Sequence, residues 1–148
     1  MDKVKKTELL LKEYTFLCSK IQNLELEIET LKDIRNYQGD GGLAGVNYNK
    51  IPTSKTYKIT SIVENELISN INLISKYEYE LNTMKKLKQK VENALTALKE
   101  RDKKIIQLFY FNKISNKEVA KVIDLTEQGL SKAKRKIINQ MSEIIFVS

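Results

Sequence analysis

The side chains with chemistry to offer gather near the carboxyl end of the chain. Between Gly129 and Gln140 stand Lys132, Lys134, Arg135 and Lys136, with no acid among them. Thr126, Glu127, Gln128 and Ser131 lie just upstream or between them, and Lys117 sits one segment earlier. Cations hold phosphate oxygens, while amide, hydroxyl and carboxylate groups match donors and acceptors. Such a set suits the binding of a polyanion better than the making and breaking of bonds. Catalysis is poorly provided for. The 148 residues contain no His, which removes Ser-His-Asp and Cys-His mechanisms. One Cys, Cys18, cannot build a Cys/His zinc site. Glu25, Glu27 and Glu29 are two apart on a helical stretch, so they point in different directions and cannot share a metal. No enzyme activity, cofactor or metal is expected.

Charge supports the same reading. The chain carries 26 Lys+Arg against 19 Asp+Glu, a net charge of +7. The fifty residues after Leu98 hold 11 bases and 6 acids, so most of the excess lies in the shorter C-terminal part. That asymmetry is expected where a polyanion binds. A lone Cys rules out an internal disulfide and points to a reducing cytoplasm. Leu9-Leu10-Leu11 is cut short by Lys12 and Glu13, so no signal peptide is expected. The apolar runs at Leu108–Phe111 and Ile144–Val147 are too short to cross a membrane.

Two long helices must position these groups. Leu10, Tyr14, Leu17, Ile21, Leu24, Ile28 and Leu31 step by alternating fours and threes, the a/d seam of a coiled coil. A second seam, Ile74, Tyr77, Leu81, Met84, Lys88, Val91, Leu95 and Leu98, is broken only by Lys88, whose stem can snorkel. Ile59, Ile62, Val63, Leu67 and Ile71 extend it backwards towards a helix start near Lys58. The two helices can pair within one chain or with a second copy; heptads alone leave that open. Cys18 beside the first seam reads as a small buried filler.

Between the helices fall four of the five glycines and the only proline, in Gly39 to Pro52. This is a connecting loop at about 36–57. It is not a phosphate-binding P-loop, because Ser54-Lys55-Thr56 comes late, lacks the preceding Gly and follows no strand. Residues 1–92 thus read as a coiled-coil helical hairpin, and 93–148 as a separate helical domain.

In the C-terminal part, Ile105, Ile106, Leu108, Phe109 and Phe111 mark one buried helix, broken at Asn112-Lys113-Ile114. Ser115-x-x-Glu118 has the pattern of a capping box for a short helix with Val119, Ala120, Val122 and Ile123 inward. Asp124-Leu125 turns the chain, and Thr126 caps a last helix. There Leu130, Ala133, Ile137, Met141 and Ile144 form the inward stripe. Gln128, Ser131, Lys132 and Arg135 face the other way, with Lys134 and Lys136 on the flanks. A basic helix half also complements the macrodipole. Joined to a tight turn and a preceding short helix, however, it has the layout of a DNA-reading helix-turn-helix.

Ala94-Leu95-Thr96-Ala97-Leu98-Lys99-Glu100-Arg101, Ile105-Ile106-Gln107-Leu108-Phe109-Tyr110-Phe111 and Ile114-Ser115-Asn116-Lys117-Glu118-Val119-Ala120 together resemble the C-terminal helix-turn-helix of sigma factors. The similarity covers the last third of the chain. Asp124 stands where the turn glycine is usual, and Gly129 where a longer side chain is common. With the coil and Ile51-Pro52-Thr53-Ser54-Lys55-Thr56, the whole resembles the RinA and ArpU late-gene regulators of phages and prophages. The resemblance implies an all-α protein, a coiled-coil hairpin followed by a sigma-like helix-turn-helix. It implies DNA contacts from Glu127, Gln128, Ser131, Lys132 and Arg135, and a phage-encoded transcriptional regulator of double-stranded DNA. Lys134, Lys136 and Lys117 are expected on the backbone. RNA polymerase and a second copy of the chain are further expected partners. Two other readings compete: a coiled-coil adaptor or assembly protein, and a phage DNA-packaging component.

Overall fold

Apolar side chains repeating every three and four residues wind into two long helices, α1 (Lys3–Asp40) and α2 (Thr53–Thr96). The computed structural model describes residues 2–40 and 53–147, and the side chains of 2–36 and 64–147. Three shorter helices follow: α3 (Glu100–Ile106), α4 (Asn116–Ile123) and α5 (Glu127–Ile145). The all-α expectation holds; every regular element among the described residues is helical. The helices reach further into the connection than the expected loop at 36–57. Backbone helix runs on to Asp40 and resumes at Thr53, where Thr and Ser suit a helix start. The glycines at 41, 42 and 45, and Pro52, lie outside the described residues, as do the side chains of Ile59, Ile62 and Val63.

The chain forms two compact units, and they do not divide at 92/93. One contains Met1–Ser19 and Met84–Ser148, the other Lys20–Thr83. The reason is packing: the first turns of α1 and the last of α2 bury their apolar faces against α3, α4 and α5. Leu11, Val91, Ala94 and Leu98 share one core with Ile105, Ile106, Tyr110, Val119, Ala120, Leu130, Ile137, Ile138, Met141 and Ile145. Complete burial of a side chain such as Leu11, Ile105 or Leu130 stabilises by roughly 1.5–3 kcal/mol. This core is what fixes α5.

In the second unit α1 and α2 lie side by side. Ile28, Leu31 and Ile74 are buried, Leu24, Leu73, Tyr77 and Leu81 pack round them, and Lys32 Nζ meets Glu78 Oε1 at 2.9 Å. In both units the seams meet within the chain. Every expected seam residue from Leu10 to Leu31, and from Ile74 to Leu98, is buried or half-buried. Lys88 is half-buried, its Nζ 3.7 Å from Glu92 Oε1. Ile71, expected on the seam, is 40% exposed instead. Cys18 is half-buried. No helix among the described residues is long and apolar enough to cross a membrane.

After Ile106 the helix widens into a π-turn, Gln107–Phe111. The Asn112 N–H donates to Gln107 O at 2.9 Å, one residue further back than in an α-helix. The wider turn carries Tyr110 inward to 2% exposure and leaves Leu108, Phe109 and Phe111 half-buried. Lys113 then adopts a left-handed backbone, φ 58°, which ends the segment.

Candidate nucleic-acid interface

Two capped helices build the site. Ser115 stands before α4 with extended backbone, and its Oγ accepts from the Glu118 N–H at 3.4 Å. Helix α4 ends where Asp124 turns left-handed, φ 63° and ψ 49°. The Leu125 N–H then donates to Ala120 O at 2.9 Å and the Asp124 N–H to Lys121 O at 3.3 Å, closing the last carbonyls. Asp is one of the few residues other than Gly to visit this conformation routinely, so it replaces the usual glycine without breaking the turn. Thr126 caps α5, its Oγ1 accepting from the Gly129 N–H at 3.0 Å. A Cβ on residue 129 would lie 3.1 Å from that Oγ1. Gly129 therefore leaves room for the cap.

Helix α5 is anchored on one side. Leu130, Ile137, Ile138, Met141, Ser142 and Ile145 are buried, while Ala133 and Ile144 are only half-buried. The inward stripe is wider than the expected Leu130, Ala133, Ile137, Met141 and Ile144, because α1 packs on the C-terminal half of α5. Lys3 Nζ is 3.7 Å from Glu143 Oε2, and Lys6 Nζ is 5.9 Å from the Phe146 ring centre. On α4, Val119 and Ala120 are buried, but Val122, expected inward, is 54% exposed. It lies outside the arc that Val119, Ala120 and Ile123 share.

The opposite side of α5 is open. Gln128, Ser131, Lys132 and Arg135 are all exposed, as are Thr126 and Glu127. Asn116, Glu127, Gln128, Ser131, Lys132 and Arg135 line a shallow recess of about 600 Å³. Among the described residues no carboxylate engages Lys132 or Arg135. Rigid support beneath and unpaired polar groups above make a surface that can exchange water for an anionic ligand. Lys117 is exposed on the first turn of α4, one residue from Asn116 in that recess.

Lys134 does not share this surface. Its Nζ lies 3.4 Å from the Phe109 ring centre and donates to Asn116 Oδ1 at 2.6 Å. Burial draws its pKa below the ordinary 10.5; Glu8 pulls the other way, and Lys12 adds to the lowering. Lys134 thus ties α5 to α4 and to the π-turn. Lys136 stays exposed on the other flank, in a separate recess with Lys99 and Arg101. Asn116, Lys99 and Arg101 were not singled out as binding residues from sequence. Asn116 looks like a first-turn filler, and Lys99 and Arg101 are brought to α5 only by tertiary packing. Among the described residues no group of His, Cys, Asp and Glu could hold a metal ion. The chain matches no protein-family model, no curated protein and no solved structure.

Proposed function

We propose that the chain is a non-enzymatic, sequence-reading DNA-binding regulator of transcription, phage-encoded, with α4 and α5 as its helix-turn-helix. One observation carries this reading: Gln128, Ser131, Lys132 and Arg135 form an exposed row on a helix whose other face is locked in the core. In this reading the first turns of α5 enter the major groove of double-stranded DNA. Gln128 pairs with adenine, Glu127 accepts from a cytosine amino group, and Ser131 reads an adjacent edge. Lys132, Arg135, Lys136 and Lys117 hold phosphates. RNA polymerase, or a second copy of the chain, would meet the protein along the α1–α2 coil.

The test is a titration of the full chain against duplex DNA over a salt series. Lys132→Ala with Arg135→Ala should weaken binding and reduce the slope of log K against log[salt] by about 2, since each neutralised phosphate contributes roughly 0.9. Unchanged affinity and slope would remove the assignment. Phe16, 69% exposed, and Leu9, 47% exposed, favour a second reading, an adaptor that binds protein through α1. That reading requires that the full chain retain no duplex at moderate salt.

A further inference from the structure

We propose that the recess where the α2–α3 corner meets α5 is a second phosphate-binding site, taking a phosphodiester of the DNA strand opposite the one held at Lys117. The inference rests on the DNA-binding reading above and adds to it the element that grips the far wall of the groove.

The recess measures about 250 Å³ and is more enclosed than the one on the outer face of α5. That is room for a phosphate with a few waters, given about 30 Å³ for each water. Lys99, Arg101, Lys136 and Gln140 supply the donors, and Ala97 and Ala133 end at Cβ, so nothing long blocks entry. The one acid, Asp102, is spent within the site: its Oδ1 lies 3.6 Å from Arg101 Nε. Bound at Nε, the guanidinium keeps its terminal nitrogens for an anion, in the fork that suits phosphate. Lys99 and Lys136 are exposed, and among the described residues neither meets a carboxylate.

Placement gives the site its partner. At about 100° per residue, Lys136 stands about 80° from Gln128 on one side of α5, and Lys134 about 120° away on the other. Lys134 bonds Asn116, so the start of α4 and Lys117 belong to its flank. Lys99 and Arg101 belong to the flank of Lys136. A helix in a major groove about 12 Å wide has one phosphate strand on each flank. Lys117 meets one strand, and the recess meets the other.

The experiment titrates the full chain with a random-sequence duplex, because backbone contacts need no operator. Lys99→Ala with Arg101→Ala should lower the salt slope by about 1–2 and weaken binding between about 3-fold and 30-fold. Lys76→Ala with Lys86→Ala removes the same charge from exposed positions of α2 and should leave the slope alone. Circular dichroism checks the helices; if the double variant loses them, Lys99→Gln alone should still lower the slope by about 1. Should the Lys99/Arg101 variant match the α2 control while Lys132→Ala with Arg135→Ala still loses binding, the second site is refuted and the DNA-binding reading stands. No retention of duplex by the unaltered chain overturns both.

Discussion

Tyr14 stacks on Phe111, with ring centres 4.6 Å apart and planes 26° from parallel. One ring belongs to the fourth turn of α1, the other to the end of the π-turn. Nearby, Lys113 Nζ donates to Lys12 O at 2.6 Å, and Leu11 is fully buried beside Ile105 and Leu130. The amino-terminal turns of the chain are therefore part of the core that holds α5, rather than a shaft attached to it.

Tyr14→Ala should cost about 2–3 kcal/mol in urea unfolding, through lost burial and a lost aromatic pair. Tyr14→Phe keeps the ring and loses only what the hydroxyl makes, its bond to Glu92 Oε1 at 3.3 Å and its contact with Cys18, so it should cost about 1 kcal/mol or less. Equal losses from the two variants would place the stabilisation in the hydroxyl and not in the stack.

Lys134→Met should leave the salt dependence of DNA binding as it is, because its ammonium is already held by Phe109 and Asn116. The methionine keeps most of the stem, so stability should fall by no more than about 1 kcal/mol. Lys132→Ala should instead reduce the salt slope by about 1. If both variants reduced it alike, Lys134 would be leaving Phe109 to meet phosphate.

Much of this was legible in the residues. The three-and-four spacing from Leu10 to Leu31 gave the buried face of α1, and the wheel of α5 turned Gln128, Ser131, Lys132 and Arg135 outward. Ser115 and Thr126 announced the two helix starts. What could not be read depends on contacts between distant segments. Leu11 is fully buried although it is off the seam, because the C-terminal helices cover it. Ile138, Ser142 and Ile145 of α5 are buried in turn because the first turns of α1 cover its C-terminal half. Lys134 reads like its neighbours Lys132 and Lys136; only the position of Phe109 within the π-turn, with Asn116 beside it, separates it from them.

Asp124→Gly should raise stability by about 0.5–1 kcal/mol, since glycine takes the left-handed backbone at φ 63° without a Cβ penalty. Asp124→Val should lower it by about 1–2 kcal/mol, because a β-branched side chain is strained there. The urea midpoints of the two variants should bracket that of the parent. A loss of stability with glycine would mean that the Asp124 carboxylate contributes more to the turn than its backbone costs.

Alkaline pH should destabilise the protein from about pH 10 upward. Tyr110 is 2% exposed, and burial foremost, with the Glu8 charge second, raises its pKa above the ordinary 10.0. Tyr14 shifts the same way, chiefly by burial, then through Cys18 and Glu92. A raised pKa means that above pH 10 the unfolded chain gives up protons that the folded chain keeps. The stability these tyrosines contribute is thus whole below pH 10 and lost as pH climbs towards their folded values. Lys134 acts oppositely, since its lowered pKa lets stability rise with pH up to about 10.5 and then level off. Two tyrosines outweigh it above that point, so the urea midpoint should pass a maximum near pH 10 and then fall. Tyr110→Phe keeps the ring in the core and removes the titrating group, so its fall should be shallower than the parent's. Identical alkaline limbs in parent and variant would show that the Tyr110 hydroxyl ionises as readily in the folded chain as in the unfolded one.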